Sequence, residues 1–413
     1  MDDVARPTVV VASDAFKGSL TSLEVADAVR LGVCDVAPAA QVAVVAVADG
    51  GEGTVAAALV AGWRGVPVAV HGPTGEPVTA TIAVRGPREG AVPAPRSGSA
   101  GHRPHGRTVL VEMADVCGLG RLPGGFPAPL TASSRGLGEA LGAALDLGAD
   151  EVVIGVGGSA STDGGAGMLT ALGARLLDTS GHQVPDGGAA LTGVTRLDLT
   201  GLDARVSTTR FVLAADVDSP LLGPTGAAAV FAPQKGATPA EVALLEEGLT
   251  RWADVVADAL PLPAPGSRPT NRSLQVQAAG AGAAGGVGFA VLAVLGAQRR
   301  SGVDVVLELV GLDTALSGAD LVVTGEGALD EQTLAGKAVA GVARRAGAHG
   351  IPVVAVCGRC ALDDAGLATL GVHTAYPLSD LEPDPQRSVA DASALLRRTG
   401  QRIARDRLSR RPG

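Results

Sequence analysis

Apolar positions along the chain fall in short β-branched runs that alternate with longer stretches of helical period, the pattern of an α/β protein. Thr8–Ala12 predicts a buried strand. Thr21 and Glu24 stand at capping-box spacing ahead of a helical run over Val25–Val33. Gln41–Val47 predicts a second strand, and the loop Asp49-Gly-Gly-Glu-Gly-Thr54 leads from it into a helix through Val60. After His71 the style changes. Thr79–Val84 and Thr108–Glu112 predict strands of another unit, separated by Arg85–Arg107, a Pro-, Gly- and Arg-rich stretch without period that predicts a loop insertion.

Further strands are expected over Glu151–Val156, Phe211–Ala215, Leu321–Thr324 and Pro352–Val356. Helices are expected over Ser134–Leu147, Met168–Leu177, Thr238–Leu260, Gly280–Ala297, Ala335–Ala346 and Ala390–Arg407, with Pro261–Arg272 as a linker. The two ends of the chain share one strand–helix style. The expected fold is therefore α/β with two α/β domains. One is a Rossmann-like discontinuous domain from residues 1–76 and 289–413, and the other is inserted over residues 77–288.

Length agrees, since 413 residues exceed what one hydrophobic core usually serves. Aromatics are only 2% of the chain against 46% hydrophobic residues, so packing must rely on small aliphatics and close backbone approach. The 59 glycines cluster without a fixed period, which excludes collagen and solenoid folds and points to tight turns near a ligand. A net charge of −9 argues against nucleic acid as partner. The start of the chain lacks a basic-then-apolar leader and no run reaches the roughly 18 apolar residues of a membrane helix, so a cytoplasmic protein is expected. Cys34, Cys117, Cys357 and Cys360 are expected to be reduced; Cys357-Gly-Arg-Cys360 has no second pair to complete a zinc site and reads as core.

Four expected strand ends carry acids or glycines, where open α/β sheets bind ligands. They are Asp14-Ala-Phe-Lys17-Gly-Ser19, Gly157-Gly158-Ser159 through Asp163 to Gly167, Asp216-Val-Asp218, and Gly325-Glu326 through Asp330. Glycine lets backbone N–H groups approach phosphate, most readily at a helix N-terminus, and Gly157–Gly167 running into Met168 has that form. Asp163, Asp216, Glu326 and Asp330 are the carboxylates that could hold Mg²⁺, which takes one or two of them with phosphate oxygens and waters. Lys17, Lys235 and Lys337 lie in glycine-flanked loops and could meet the charge of a transferring phosphoryl group.

Other chemistries fit less well. Gly336-Lys337 lacks the earlier glycine of a P-loop. Gly280-Ala-Gly282-Ala-Ala-Gly285 has dinucleotide-fingerprint spacing, which keeps a nicotinamide-dependent oxidoreductase of small hydroxy acids as the alternative, but a poor strand precedes it. Gly157-Gly-Ser159 is not a nucleophile elbow.

At these loops the chain resembles the type I glycerate kinases. The matching stretches are Ser13–Ser19, Val47–Thr54, Gly155–Gly167, Ala215–Leu221, Phe231–Gly236, Gly280–Gly286 and Thr324–Lys337, in the family's order. Ala15, Thr162 and Ser219 depart from the family's usual Ser, Asn and Asn. The resemblance implies transfer of the ATP γ-phosphate to a hydroxyl of D-glycerate with Mg²⁺, in a cleft between two α/β domains. The product would be 2-phosphoglycerate, with 3-phosphoglycerate as the other outcome. It implies Lys17, Asp163, Asp216 and Glu326 as catalytic residues, with Asp163, Asp216 and Glu326 at the metal. Asp14, Ser19, Asp49, Glu52, Gly157, Gly158, Ser159, Lys235, Gly282, Gly285, Asp330 and Lys337 would bind substrate or nucleotide. The expected partners are ATP and D-glycerate, with a homodimer allowed and neither nucleic acid nor membrane involved.

Overall fold

The computed structural model describes residues 6–86, 106–260, 275–334, 336 and 338–408. Most of the Arg85–Arg107 stretch, the Pro261–Arg272 linker and Lys337 lie outside the described residues. The chain opens with strands β1 (Thr8–Ser13) and β2 (Gln41–Ala46). It continues through β3 (Arg64–His71), β4 (Pro77–Arg85), β5 (Thr108–Glu112), β6 (Glu151–Gly155), β7 (Arg175–Leu177), β8 (Arg196–Asp198), β9 (Arg210–Ala214) and β10 (Gln298–Arg300). It then returns with β11 (Leu321–Leu329), β12 (Val353–Cys360) and β13 (Thr374–Pro377).

Two compact units result, and the chain passes between them at Asp49/Gly50, Val55/Ala56, Gly62/Trp63 and Gly302/Val303. These points correct the boundaries expected after residues 76 and 288. β3 pairs along its length with β4, from Arg64 opposite Val84 to His71 opposite Pro77, so it belongs to the second unit. The Ala283–Ala293 helix buries Val287, Phe289, Ala290 and Val291 in that unit's core, and β10 pairs with β9.

The first unit is a parallel sheet in the order β13-β12-β11-β1-β2. Alternation along β1 feeds two cores. Val9 and Val11 pack with the Ser22–Val36 and Ala392–Ile403 helices, and Val10 and Ala12 pack with Val303, Leu307 and the Ala338–Ala348 helix. The expected capping box is present: Thr21 accepts from Glu24 N, and Glu24 accepts from Thr21 N. Helix packing depends on small residues, since a Cβ at Gly32 would sit 2.0 Å from the Arg397 carbonyl oxygen.

The second unit has a six-stranded sheet in the order β10-β9-β6-β5-β4-β3, parallel from β10 to β5 and antiparallel beyond. β7 and β8 form a separate antiparallel pair. The helix expected over Met168–Leu177 is shorter, Ala166–Ala171, and is followed by β7. Gly173 stops it: its φ of +102° is left-handed, and a Cβ there would meet the Gly201 carbonyl oxygen at 2.1 Å. β11 extends past the expected Thr324 to Leu329, so Glu326 lies in the strand itself. Among the described residues no helix is long and apolar enough to cross a membrane.

Candidate active site

In the first unit the candidate residues gather where β1 and β11 run side by side. Ser13 pairs with Gly325, and Asp14 N donates to the Gly325 carbonyl at 2.9 Å. Ser22, the first residue of its helix, braces this end: its hydroxyl donates to the Ser13 carbonyl at 2.7 Å and accepts from Val47 N at 2.8 Å. The Asp14 carboxylate accepts from Ala15 N at 2.7 Å. Burial pushes its pKa up to about 6, and the like charges of Asp49 and Glu326 add to the rise; the Ala15 bond and the Lys17 ammonium oppose it. Glu326 is 7% exposed, and its Oε1 accepts from the buried Thr333 hydroxyl at 2.6 Å. Lys17 is exposed in the turn closed by reciprocal Phe16–Leu20 backbone bonds. Asp14 thus feels the charges of Lys17, Asp49 and Glu326.

Other candidates of this unit serve the fold locally. The Ser19 hydroxyl donates to the Val389 carbonyl at 2.9 Å. Asp330 caps the Glu331–Leu334 turn, accepting from Gln332 N at 2.9 Å.

In the second unit the glycine loop leaves β6, and the Asp216-Val-Asp218 loop leaves the adjacent parallel strand β9. Asp163 is fully buried. It accepts from Ser134 N and Oγ, both at 2.8 Å, and from Gly165 N and Gly167 N, both at 3.2 Å. The Ser134 hydroxyl in turn accepts from Met168 N at 3.0 Å. The first-turn N–H groups that the glycine pattern offers to a phosphate are therefore occupied from within, by Asp163 and Ser134. This corrects one expectation: the start of that helix is not an open anion seat, and the Asp163 oxygens are directed to the loop. Burial raises the Asp163 pKa while the bonds from Ser134 and the glycine amides lower it.

Lys235 is 2% exposed. Its Nζ donates to the Ser159 hydroxyl at 2.8 Å and to the Ser161 carbonyl. Burial brings its pKa down to about 7, against the pull of Asp163 and Cys117. Leu119 N donates to the Gly158 carbonyl and Ala160 N to the Cys117 carbonyl, which ties the loop to its neighbour. Within this framework Gly157 is half-buried, and Gly158 is exposed with a φ of +73°.

Gly282 and Gly285 are buried packing positions: a Cβ at Gly282 would meet the Pro220 carbonyl oxygen, and one at Gly285 the Ser161 carbonyl oxygen, each at 2.2 Å. Ala284, Gly285 and Gly286 are all left-handed, unlike the turn of a dinucleotide fingerprint. Asp216 is exposed and accepts from Gly302 N at 2.8 Å. Glu52 is exposed beside the buried Glu112. Glu112 accepts from Gly53 N at 3.0 Å and Val55 N at 2.8 Å, and burial pushes its pKa up to about 7.

Ser134, Glu112 and Thr333 went unremarked in the sequence. A lone Ser, Glu or Thr inside a periodic run carries no local signal; only the fold shows which backbone groups it meets. Among the described residues no three His, Cys, Asp or Glu side chains come together as a metal site.

Comparison with known proteins agrees with this architecture. The pattern of the glycerate kinase family matches residues 9–408. The chain is 40% identical over 397 residues to the glycerate kinase of Bacillus subtilis, covering 96% of each chain. It is 38% identical over 361 residues to the glycerate 2-kinase of Escherichia coli, covering 87% of each. The crystal structure of a protein assigned as glycerate kinase 2 from Salmonella typhimurium LT2 superposes with a TM-score of 0.79 at 37% identity, over 98% of this chain and 99% of that one.

Proposed function

The chain belongs to the glycerate kinase family, and from that premise we propose that it transfers the γ-phosphate of ATP to the 2-hydroxyl of D-glycerate in the cytoplasm. The observation that carries the reading is the set of acids around Asp14: Asp14 just past β1, Asp49 past β2 and Glu326 within β11. Burial raises the Asp14 pKa and the charges of Asp49 and Glu326 add to the rise, with Lys17 opposing it. Such mutual repulsion fits a site that receives a cation, and Mg²⁺ needs only one or two carboxylates when phosphate oxygens complete its shell. Glu326 and Asp49 are the residues that would hold it; when bound, the ion would draw charge off the phosphoryl oxygens.

Asp14 is the proton acceptor in this scheme. A base for a hydroxyl works best when its pKa lies near the working pH, and burial brings Asp14 up to about 6. Lys17 meets the phosphoryl charge. In the second unit the nucleotide phosphates meet the Gly157–Gly158 turn on the exposed Gly158 side, since Gly157 N already donates to the Gly50 carbonyl at 3.5 Å. Asp163, Ser134 and Lys235 position that turn from inside, and Asp216 and Glu52 remain as exposed polar contacts for substrate.

The test couples ADP release to an indicator reaction with D-glycerate, ATP and Mg²⁺. The expected result is glycerate-dependent ADP formation, with phosphorus NMR identifying 2-phosphoglycerate. ADP release indifferent to glycerate would overturn the substrate, and a 3-phosphoglycerate signal would move the reaction to the other hydroxyl.

A further inference from the structure

Lys235 is the feature the proposed mechanism leaves least explained. A lysine ammonium is strongly hydrated, and proteins seldom bury one without an acid against it. Here the amine lies 2% exposed with two neutral hydrogen-bond partners, the Ser159 hydroxyl and the Ser161 carbonyl. Both partners belong to the glycine loop, and Ser159 directly follows the exposed Gly158. The charged and titratable groups that act on the amine are Asp163, from the same loop, and Cys117, at the end of the Met113–Cys117 helix. Asp163 already accepts four hydrogen bonds. Burial pushes the Cys117 thiol up to about 12, so it stays neutral.

A neutral amine has two N–H groups and can serve both loop partners; an ammonium has three. The loop geometry therefore tolerates either state, and the local charge decides between them. We propose that Lys235 is a positioning residue whose proton occupancy is coupled to the Gly157–Gly158 turn, so that a nucleotide polyphosphate bound there draws a proton onto the amine. The idea rests on the reading of that turn as the phosphate seat. Its physical basis is linkage: an anion that favours the ammonium must bind more tightly when the ammonium is already present. With the amine pKa near 7, the free protein holds it mostly neutral at pH 8 and mostly charged at pH 6. A nearby polyphosphate raises that value by on the order of one unit or more.

The test is calorimetric titration of the full chain with Mg·ADP at pH 6 and pH 8, each in two buffers of different ionisation enthalpy. At pH 8 the carboxylates and ADP are ionised, so uptake reports on a base of higher pKa. The expected result is uptake of about half a proton or more per ADP at pH 8 and little at pH 6. Wild-type affinity should weaken roughly tenfold from pH 6 to pH 9. Lys235→Met, in folded protein, should abolish the uptake at pH 8 and flatten the affinity across that range. A wild-type protein with no uptake at pH 8 overturns the proposal without need of the variant. Equal uptake in folded Lys235→Met overturns it as well. Glycerate turnover is read separately: uptake without turnover sinks the kinase reading alone, and turnover without uptake sinks this inference alone.

Discussion

Asp14 directly follows β1 and Asp163 lies in the glycine loop between β6 and the Ala166–Ala171 helix, and the two units use these aspartates in opposite ways. Asp14 accepts one backbone N–H, and burial, helped by the like charges of Asp49 and Glu326, lifts its pKa to about 6 against that bond. Asp163 accepts four hydrogen bonds from Ser134, Gly165 and Gly167 and spends its oxygens on the loop. Residue type and loop composition are alike; the destination of the lone pairs differs. A carboxylate with repelling neighbours responds to cations and protons from outside. One surrounded by amide donors fixes a backbone.

Substitution of the internal acid should break the contrast most forcefully. Asp163→Ala leaves the Ser134, Gly165 and Gly167 donors buried without an acceptor, at about 1–3 kcal/mol each. Thermal melting should fall steeply and turnover with it; a variant that melts normally but lacks activity would return Asp163 to the chemistry.

Asp14→Asn should do the reverse. Wild-type kcat/KM should rise with pH through about 6 as Asp14 ionises, and the variant should lose that limb together with most of its rate. Folded Asp14 has a raised pKa, so its stabilising contribution is complete below the unfolded value of 3.8 and lost as pH rises through about 6. At pH 8 the variant should therefore melt a few degrees higher than wild type, as scanning calorimetry would show. A lower melting point together with an unchanged pH profile would contradict this assignment.

Two smaller effects sharpen the boundary of the site. Gly32→Ala forces a methyl to within 2.0 Å of the Arg397 carbonyl unless the helices part, and should cost about 1–3 kcal/mol in denaturant unfolding with the KM values unchanged. Iodoacetamide should leave activity within about twofold of untreated enzyme, because burial pushes the Cys357 thiol up, away from the reactive thiolate. Rapid inactivation would give Cys357-Gly-Arg-Cys360 a role beyond the core.

How much of this was legible in the sequence follows from the range of each interaction. β1, β2, β11 and β12 of the first unit are legible because their apolar runs are short and β-branched, while the short edge strand β13 is not; the Thr21–Glu24 capping box is legible because its partners lie three residues apart. β3 was missed: its pattern is broken by Gly65 and Pro67, and only pairing with β4 makes it a strand. The Met168 helix was overextended because Leu172 and Leu176 keep a helical period, while Gly173 and Gly201 meet only in three dimensions. The site loops were legible as acid and glycine clusters, and the family resemblance ordered them. Which acid works and which one holds the loop was not, because Ser134 lies 29 residues from Asp163 and Lys235 lies 76 from Ser159.

Turnover of Glu326→Gln bears most directly on the claim that the acids of the first unit do the chemistry. The amide keeps the side chain's size and an oxygen for the Thr333 hydroxyl, so the fold should hold. Glycerate-dependent ADP release at saturating ATP should fall by about a hundredfold or more, with an unchanged melting temperature. A folded variant with near-normal turnover would contradict the account.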